Sequence, residues 1–97
     1  MIVERRWYTV HQGREQEAID IIKEAWQDLG FPNAHRIYRG LIGPYDVVVQ
    51  ELEFGDFQER QAFWADFMAR PKTRELMAPW TKVRAPGGGS ELWQLVE

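Results

Sequence analysis

The chain has 97 residues, of which 44% are apolar and 28% charged, and its net charge is −3, values typical of one globular domain. Its twelve basic residues are scattered among fifteen acidic ones, which excludes the concentrated positive charge typical of nucleic-acid-binding proteins. It has no cysteine for a disulfide or a thiolate metal site, and no run of about 18 apolar residues to span a membrane. Charged residues at positions 4–6 interrupt the first apolar run, unlike a signal peptide, so we expect a cytoplasmic location.

The beginning of the chain predicts a strand followed by an amphipathic helix. Residues 2–10 (IVERRWYTV) are rich in β-branched and aromatic side chains, and the next three residues are typical of a turn. Between Arg14 and Leu29 apolar residues recur at steps of three and four, as on one face of a helix that Gly30 closes. These residues are Ala18, Ile19, Ile22, Ala25, Trp26 and Leu29.

The middle of the chain predicts a β-hairpin. Residues 34–42 indicate a second strand and residues 47–54 a third, joined by a turn at residues 43–46. After this hairpin, Asp56 and Glu59 have the spacing of a helix capping box. The second helix should stop before Pro71 and bury one face, which consists of Phe63, Trp64, Phe67 and Met68.

The end of the chain completes a four-stranded arrangement. Residues 73–80 predict one or two helical turns, residues 85–90 (APGGGS) a flexible joint, and residues 91–97 (ELWQLVE) a fourth strand. The order β-α-β-β-α-β within a single domain, residues 1–97, predicts an α+β ferredoxin-like fold. In that fold a four-stranded antiparallel sheet carries both helices on one face.

Large apolar side chains are predicted on both faces of this sheet. In the first strand, Val3 and Trp7 alternate with Ile2 and Tyr8. Because the helices cover only one face, a second copy of the chain stacked on the open face would hide the remaining apolar surface. We therefore expect a homodimer formed through the open sheet face.

The first strand resembles a motif of a known family. Residues 3–13 (VERRWYTVHQG) are similar to the opening Glu-Leu-Arg-x-Tyr-x-x-x-x-Gly segment of NIPSNAP-like proteins. Arg5 stands where these proteins have leucine. The residues that match are Glu4, Arg6, Tyr8 and Gly13.

Two further segments extend this resemblance over most of the chain. Gly43-Pro44 and the valines that follow look like the family's Gly-Pro hairpin. Residues 56–71 (DFQERQAFWADFMARP) resemble its second helix, with Arg60 and Pro71 in place. The resemblance implies a dimeric α+β barrel, in which the sheets of two ferredoxin-like subunits are paired.

The end of the third strand departs from the family pattern. NIPSNAP-like proteins commonly continue this strand with His-Leu-Trp-x-Tyr, whereas this chain has Gln50, Glu51, Leu52, Glu53 and Phe54. The imidazole, the indole and the phenol are all missing here. No family function is therefore transferred to residues 50–54.

Histidine is the first candidate for chemistry, as a general base or a haem ligand. His11 lies at the predicted turn and His35 at the start of the second strand. Neither is on the second helix, where haem-binding relatives in this superfamily tend to place an axial histidine. The glycines at 87–89 neither follow a strand nor open a helix, unlike a phosphate loop. We expect both histidines to be ordinary surface or turn residues, and we expect no metal and no cofactor.

A carboxylate pair is the second candidate. Glu51 and Glu53 share one strand face with Val47 and Val49, which could place two acids beside an apolar patch. The reading that we favour is structural: the acids reach solvent or pair across the sheet with an arginine, such as Arg36 or Arg5.

A polar pair in an apolar cavity is the third candidate. Arg6 and Tyr8 share one face of a central strand, where a forked guanidinium and an adjustable phenol would suit an anionic or carbonyl-bearing aromatic ligand. We expect the cavity between the sheet and the helices, with Trp7, Trp64 and Phe67 as candidates for its apolar contacts.

Several functions stay open. The pattern favours a small-ligand-binding dimer, while the superfamily resemblance implies the alternative of a cofactor-independent monooxygenase or isomerase acting on an acidic aromatic or polyketide-like substrate. A third alternative is a structural or interaction module without an accessible cavity. For the polar pair, the structural alternative is that Arg6 pairs with an acid such as Glu4 or Glu51, while Tyr8 packs at the dimer interface.

Overall fold

The structure is a computed structural model that describes residues 1–97. Its elements in chain order are β1 (Ile2–Thr9), α1 (Glu15–Leu29), β2 (His35–Arg39), β3 (Val47–Phe54), α2 (Phe57–Ala69), α3 (Pro71–Met77), α4 (Trp80–Val83) and β4 (Gly89–Gln94). The strands form one antiparallel sheet in the order β2-β3-β1-β4. The predicted ferredoxin-like arrangement is confirmed, with β1 and β3 in the centre of the sheet. No helix is both long enough and apolar enough to cross a membrane.

Two strands differ from their predicted bounds. β2 ends at Arg39 rather than at residue 42, because Asp46 has a left-handed backbone (φ 57°) and the partner strand therefore begins only at Val47. β4 spans residues 89–94 rather than 91–97, because its last residue lies opposite Ile2, where β1 begins. Part of the predicted joint is thus strand. A Cβ at Gly89 would lie 2.7 Å from the indole of Trp7, so the close approach of these strands requires glycine.

The helix ends follow the predicted signals. Asp56 caps α2 by accepting a hydrogen bond from the backbone N–H of Glu59 at 2.8 Å, and the Glu59 carboxylate accepts one from the N–H of Gly55 at 2.7 Å. Gly30 closes α1 in the left-handed conformation, with a φ of 67°. Pro71 ends α2 but also begins α3, so the predicted turns at residues 73–80 are two short helices.

The face of the sheet that carries the helices, the helix-side face, holds the core. Val48, Leu52 and Phe54 of β3 are buried against the apolar stripe of α1, and all six predicted stripe residues are buried. On α2 the prediction is correct for Phe63 and Phe67 only. Trp64 is only partly buried and Met68 is 73% exposed, because both residues border a cavity.

The opposite face of the sheet, the open face, has no helix against it. Glu51 pairs there with Arg5 at 2.9 Å and with Arg36 at 3.5 Å, so the structural reading of this carboxylate as a cross-strand partner is confirmed. Apolar groups lie on the same face, and Trp93 of β4 is 54% exposed. None of the six residues of β4 is buried, although β4 is fully paired with β1.

Candidate functional site

A cavity of about 340 Å³ lies between the helix-side face of the sheet and the four helices. Its floor is made by polar side chains of the two central strands, and its walls are mostly aromatic side chains and methionines from the helices. The third alternative assumed a module without an accessible cavity, whereas the structure contains one. The lining residues are Arg6, Tyr8, Ile22, Trp26, Gln50, Arg60, Trp64, Phe67, Met68, Met77, Trp80 and Arg84.

Glu4 anchors one side of the floor from the same face of β1 as Arg6 and Tyr8. This residue is fully buried, and its two carboxylate oxygens accept hydrogen bonds from three donors. Arg6 Nη1 donates to Oε2 at 2.9 Å, while Arg60 Nε and the Trp64 indole N–H both donate to Oε1, the latter at 3.2 Å. A buried carboxylate is stable only with such compensation. Glu4 thereby holds two guanidiniums and one cavity wall in fixed positions.

Arg6 and Tyr8 lie next to each other on the floor. Arg6 Nε donates to the Tyr8 hydroxyl oxygen at 2.9 Å, and its guanidinium lies 4.6 Å from the centroid of the Trp64 ring. Burial alone would lower the pKa of Arg6, but Tyr8 and Glu4 outweigh it, so this pKa is raised. Burial raises the pKa of the Tyr8 phenol above its ordinary value, and Arg6 offsets only part of that effect. At neutral pH the site therefore contains a guanidinium and a protonated phenol.

A hydrogen-bond chain leads from this pair to His35 on the neighbouring edge strand. The Tyr8 hydroxyl donates to Gln50 Oε1 at 2.7 Å, and Gln50 Nε2 lies 2.9 Å from His35 Nε2. The His35 ring stacks on Trp26, with centroids 5.0 Å apart and planes at 12°. Burial lowers the pKa of His35 to about 4, so the ring is neutral at pH 7. In the observed arrangement Nε2 therefore accepts the bond from Gln50.

The cavity is positively charged although the protein carries a net charge of −3. Arg6, Arg60 and Arg84 line it, and no acidic side chain does. Glu4, which pairs with Arg6 and Arg60, offsets one of the three positive charges. Arg84 is exposed and makes no ion pair. An anion that enters the cavity therefore meets two uncompensated positive charges.

The structure brings together four of the five residues that the sequence singled out for ligand contact. Arg6, Tyr8, Trp64 and Phe67 all line the cavity. Trp7 does not, and this expectation is corrected: consecutive residues of a strand point to opposite faces, so Trp7 lies on the open face beside Gly89.

The structural alternative for the polar pair is half correct. Arg6 does pair with Glu4, but Tyr8 is not on the open face. Its ring packs edge-on against Trp80 on the helix side, with centroids 5.0 Å apart. The ion pair with Glu4 and a place in the cavity are therefore compatible properties of Arg6.

The expectation for the histidines holds for His11, which is exposed at a turn, but is wrong for His35. The register of the hairpin places His35 opposite Leu52 on the helix-side face, where it is half-buried. Gln50 was also missed as a site residue. A polar side chain between Val48 and Leu52 on the buried face of a central strand is the signal that would have identified it. No cluster of three or more metal-ligating side chains is present.

Comparisons with known proteins bear on the fold. No protein-family model and no curated protein matches the sequence. An uncharacterised NIPSNAP domain protein from Burkholderia xenovorans superposes with a TM-score of 0.81 at 20% identity, over 99% of this chain and 95% of that one. A second, NIPSNAP-like protein from the same organism gives 0.86 at 18% identity, over 98% and 84%. The chain has the NIPSNAP fold.

The same fold also occurs in enzymes. A point mutant of SnoaB from Streptomyces nogalater, a cofactor-independent oxygenase, superposes on this NIPSNAP fold with a TM-score of 0.70 at 13% identity, over 99% of this chain and 93% of that one. A putative antibiotic biosynthesis monooxygenase from Nitrosomonas europaea gives 0.75 at 11% identity over both entire chains. At these identities the likeness establishes the fold and not the activity.

His35 makes the stability of the protein depend on pH in a predictable direction. The unfolded chain binds the His35 proton near the ordinary pKa of 6.5, and the folded chain only near 4. The unfolded state thus holds more protons between these values, so we expect the free energy of unfolding to decrease as pH falls from about 6.5 to about 4. Urea unfolding at several pH values measures this slope.

Two variants isolate this contribution. His35→Phe keeps an aromatic ring against Trp26 and should show a shallower slope than the wild type, and the same change at the exposed His11 is the control. Equal slopes in the wild type and His35→Phe would show that His35 does not titrate as described.

Proposed function

We propose that this protein binds a small anionic aromatic compound in the cavity between the sheet and the helices. The observation that carries this proposal is the lining itself: three arginines and three tryptophans, with no acidic side chain. A cavity of about 340 Å³ lies within the range of small-molecule sites, which is roughly 300 to 1,000 Å³.

The apolar walls fit a planar ligand. Trp26, Trp64 and Trp80 offer rings from three different helices, and Phe67 adds a fourth ring from the same helix as Trp64. Ring contacts of this kind contribute beyond the area that they bury. Met68 and Met77 are flexible side chains that adapt to the outline of a ligand. These walls favour an aromatic body over a flexible aliphatic chain.

The polar groups fit an anion. Arg84 has no carboxylate partner, and Arg6 and Arg60 share the single carboxylate of Glu4. A carboxylate, an enolate or a phenolate would supply both the negative charge and the acceptor oxygens.

The contribution of Arg84 is measurable with a matched pair of probes. We expect 2-naphthoate to bind more tightly than the neutral 2-naphthylmethanol. The ratio of the two affinities should fall about fivefold in Arg84→Gln, since an exposed charge-assisted hydrogen bond contributes on the order of 1 kcal/mol. Isothermal titration calorimetry of both probes measures this.

Arg74→Gln is the matched control. It removes the same charge from an exposed position on α3 that does not line the cavity, and it should leave both affinities unchanged. Absence of 2-naphthoate binding to the wild type, or equal losses in the two variants, would contradict the proposed site.

A second candidate function is cofactor-independent oxygenation of such a ligand. Two observations favour it: the fold shared with SnoaB, and a positive cavity that stabilises the anion of an acidic aromatic substrate. No lining side chain is a base at neutral pH, because the titratable groups are arginines and the Tyr8 phenol. Catalysis would consequently rest on stabilising the substrate's own anion, which reacts with O₂.

Anthrone tests this candidate, since its enolate reacts with O₂ to give anthraquinone and water in equal amounts. If the protein is an oxygenase, we expect O₂ consumption and anthraquinone formation above the rate without protein, and a slower rate in Arg84→Gln but not in Arg74→Gln. If 2-naphthoate binds but the protein does not accelerate anthrone oxidation, the binding function stands and the oxygenase function is ruled out.

We also propose that two copies of the chain pair through their open faces. This face includes Val3, Trp7, Val49 and the exposed Trp93, and a patch of this kind is uncommon on a monomer. The tip of the β2–β3 hairpin adds three highly exposed apolar side chains, Leu41, Ile42 and Tyr45. The cytoplasmic location remains a prediction.

Native mass spectrometry tests this pairing and reports any co-purified ligand. We expect about twice the 11.5 kDa mass of the chain for the wild type, and a shift to the single mass for Val49→Glu, which places a charge at the centre of the open face. Val96→Glu makes the same change at an exposed position after β4 and should remain dimeric. A monomeric wild type, or a dimeric Val49→Glu, would rule out this interface.

A further inference from the structure

The hydrogen-bond chain from Arg6 to His35 has a direction that one residue can reverse. Arg6 can only donate, so the Tyr8 oxygen must accept from it. The Tyr8 hydroxyl proton then has two possible directions: toward Gln50, as observed, or into the cavity that Tyr8 lines. The direction depends on whether the oxygen or the nitrogen of the Gln50 amide faces the Tyr8 hydroxyl.

Two arrangements satisfy the chain with equal numbers of hydrogen bonds. In the observed arrangement the Tyr8 hydroxyl donates to Gln50 Oε1, and Gln50 Nε2 donates to His35 Nε2. With the amide turned by half a rotation, Gln50 Nε2 donates to the Tyr8 oxygen and Oε1 accepts from a protonated His35 Nε2. The Tyr8 hydroxyl proton is then free to point into the cavity.

The two arrangements differ in the tautomer of His35. The observed one requires the proton on Nδ1, and the reversed one requires it on Nε2. Nδ1 makes no hydrogen bond within the protein, so neither tautomer is fixed from that side. His35 also lines a surface groove with Ile19, Lys23, Ile37 and Arg39, through which solvent can exchange the proton. The ring stays neutral in both arrangements, and the net charge is unchanged.

We propose that His35 is a positioning residue that determines, through Gln50, whether Tyr8 offers a lone pair or a proton to the ligand. In the observed arrangement the Tyr8 oxygen accepts from Arg6, donates to Gln50, and can only accept from a ligand. In the reversed arrangement it donates to the ligand. A ligand shifts the equilibrium toward the arrangement that it binds better. An anionic ligand, as in the proposed function on which this inference rests, therefore selects the Nε2–H tautomer.

Nitrogen-15 NMR of the histidine rings tests this directly, because protonated and bare ring nitrogens have well-separated shifts. In the free protein we expect His35 to be mainly the Nδ1–H tautomer. Saturation with 2-naphthoate, which only accepts, should reverse the major tautomer. Saturation with 2-naphthol, which can donate to Tyr8, should leave the Nδ1–H tautomer as the major one. The exposed His11 is an internal control that should not respond to either probe.

Two variants separate this coupling from a merely structural role of His35. Tyr8→Phe removes the hydroxyl through which the ligand acts, so 2-naphthoate at saturation should no longer reverse the His35 tautomer. Gln50→Glu offers only acceptor oxygens to both neighbours, so His35 should be the Nε2–H tautomer without any ligand. Thermal unfolding confirms that each variant is folded.

The possible results are distinct. Binding of 2-naphthoate with an unchanged His35 tautomer would overturn the role of His35 and leave the binding function intact. The same holds for an equal response in Tyr8→Phe, or for the Nδ1–H tautomer in Gln50→Glu. No binding of 2-naphthoate at all would overturn both proposals.

Discussion

The buried carboxylate of Glu4 is the interaction on which the cavity depends. Glu4 lies in the centre of the sheet with no solvent to stabilise its charge, so it needs its three donors, and the donors are held in place by it. Removing one member of such a buried group typically costs about 3–5 kcal/mol. Because Arg6, Arg60 and Trp64 all donate to this one carboxylate, three of the side chains that line the cavity are held in position.

Trp26 lies at the boundary between the core and the cavity. One side of its ring system meets the aromatic core residues Phe31, Phe63 and Phe67, and another meets His35. The same residue therefore contributes to the packing of α1 and to the wall of the site. Its position explains why a helix stripe that reads as ordinary core in the sequence also borders a ligand-sized space.

The sequence predicted the parts of the structure that local patterns determine. The three- and four-residue spacing from Ala18 to Leu29 identified α1, and the capping box at Asp56 identified the start of α2, because these signals act within a few residues. The cavity could not be predicted from such local signals, because it depends on contacts between distant parts of the chain. Gln50 meets His35 only through the register of the hairpin, and Arg84 reaches the site only because α4 returns the chain to the end of β1. Trp7 shows a different error, since strand alternation already separated it from Arg6 and Tyr8 and proximity in the sequence was given too much weight.

The exposed strand β4 has a consequence for how the sequence of this protein can change. β4 contributes backbone hydrogen bonds to β1 but no buried side chain, and the close approach of Gly89 to Trp7 constrains only one of its positions. The floor of the cavity is carried by β1 and β3, so substitutions in β4 leave its geometry intact. Within one subunit, almost any strand-forming sequence would serve here. Under the proposed pairing through the open faces, Trp93 lies on the surface that the second copy covers, so this residue should vary among related sequences in step with that surface.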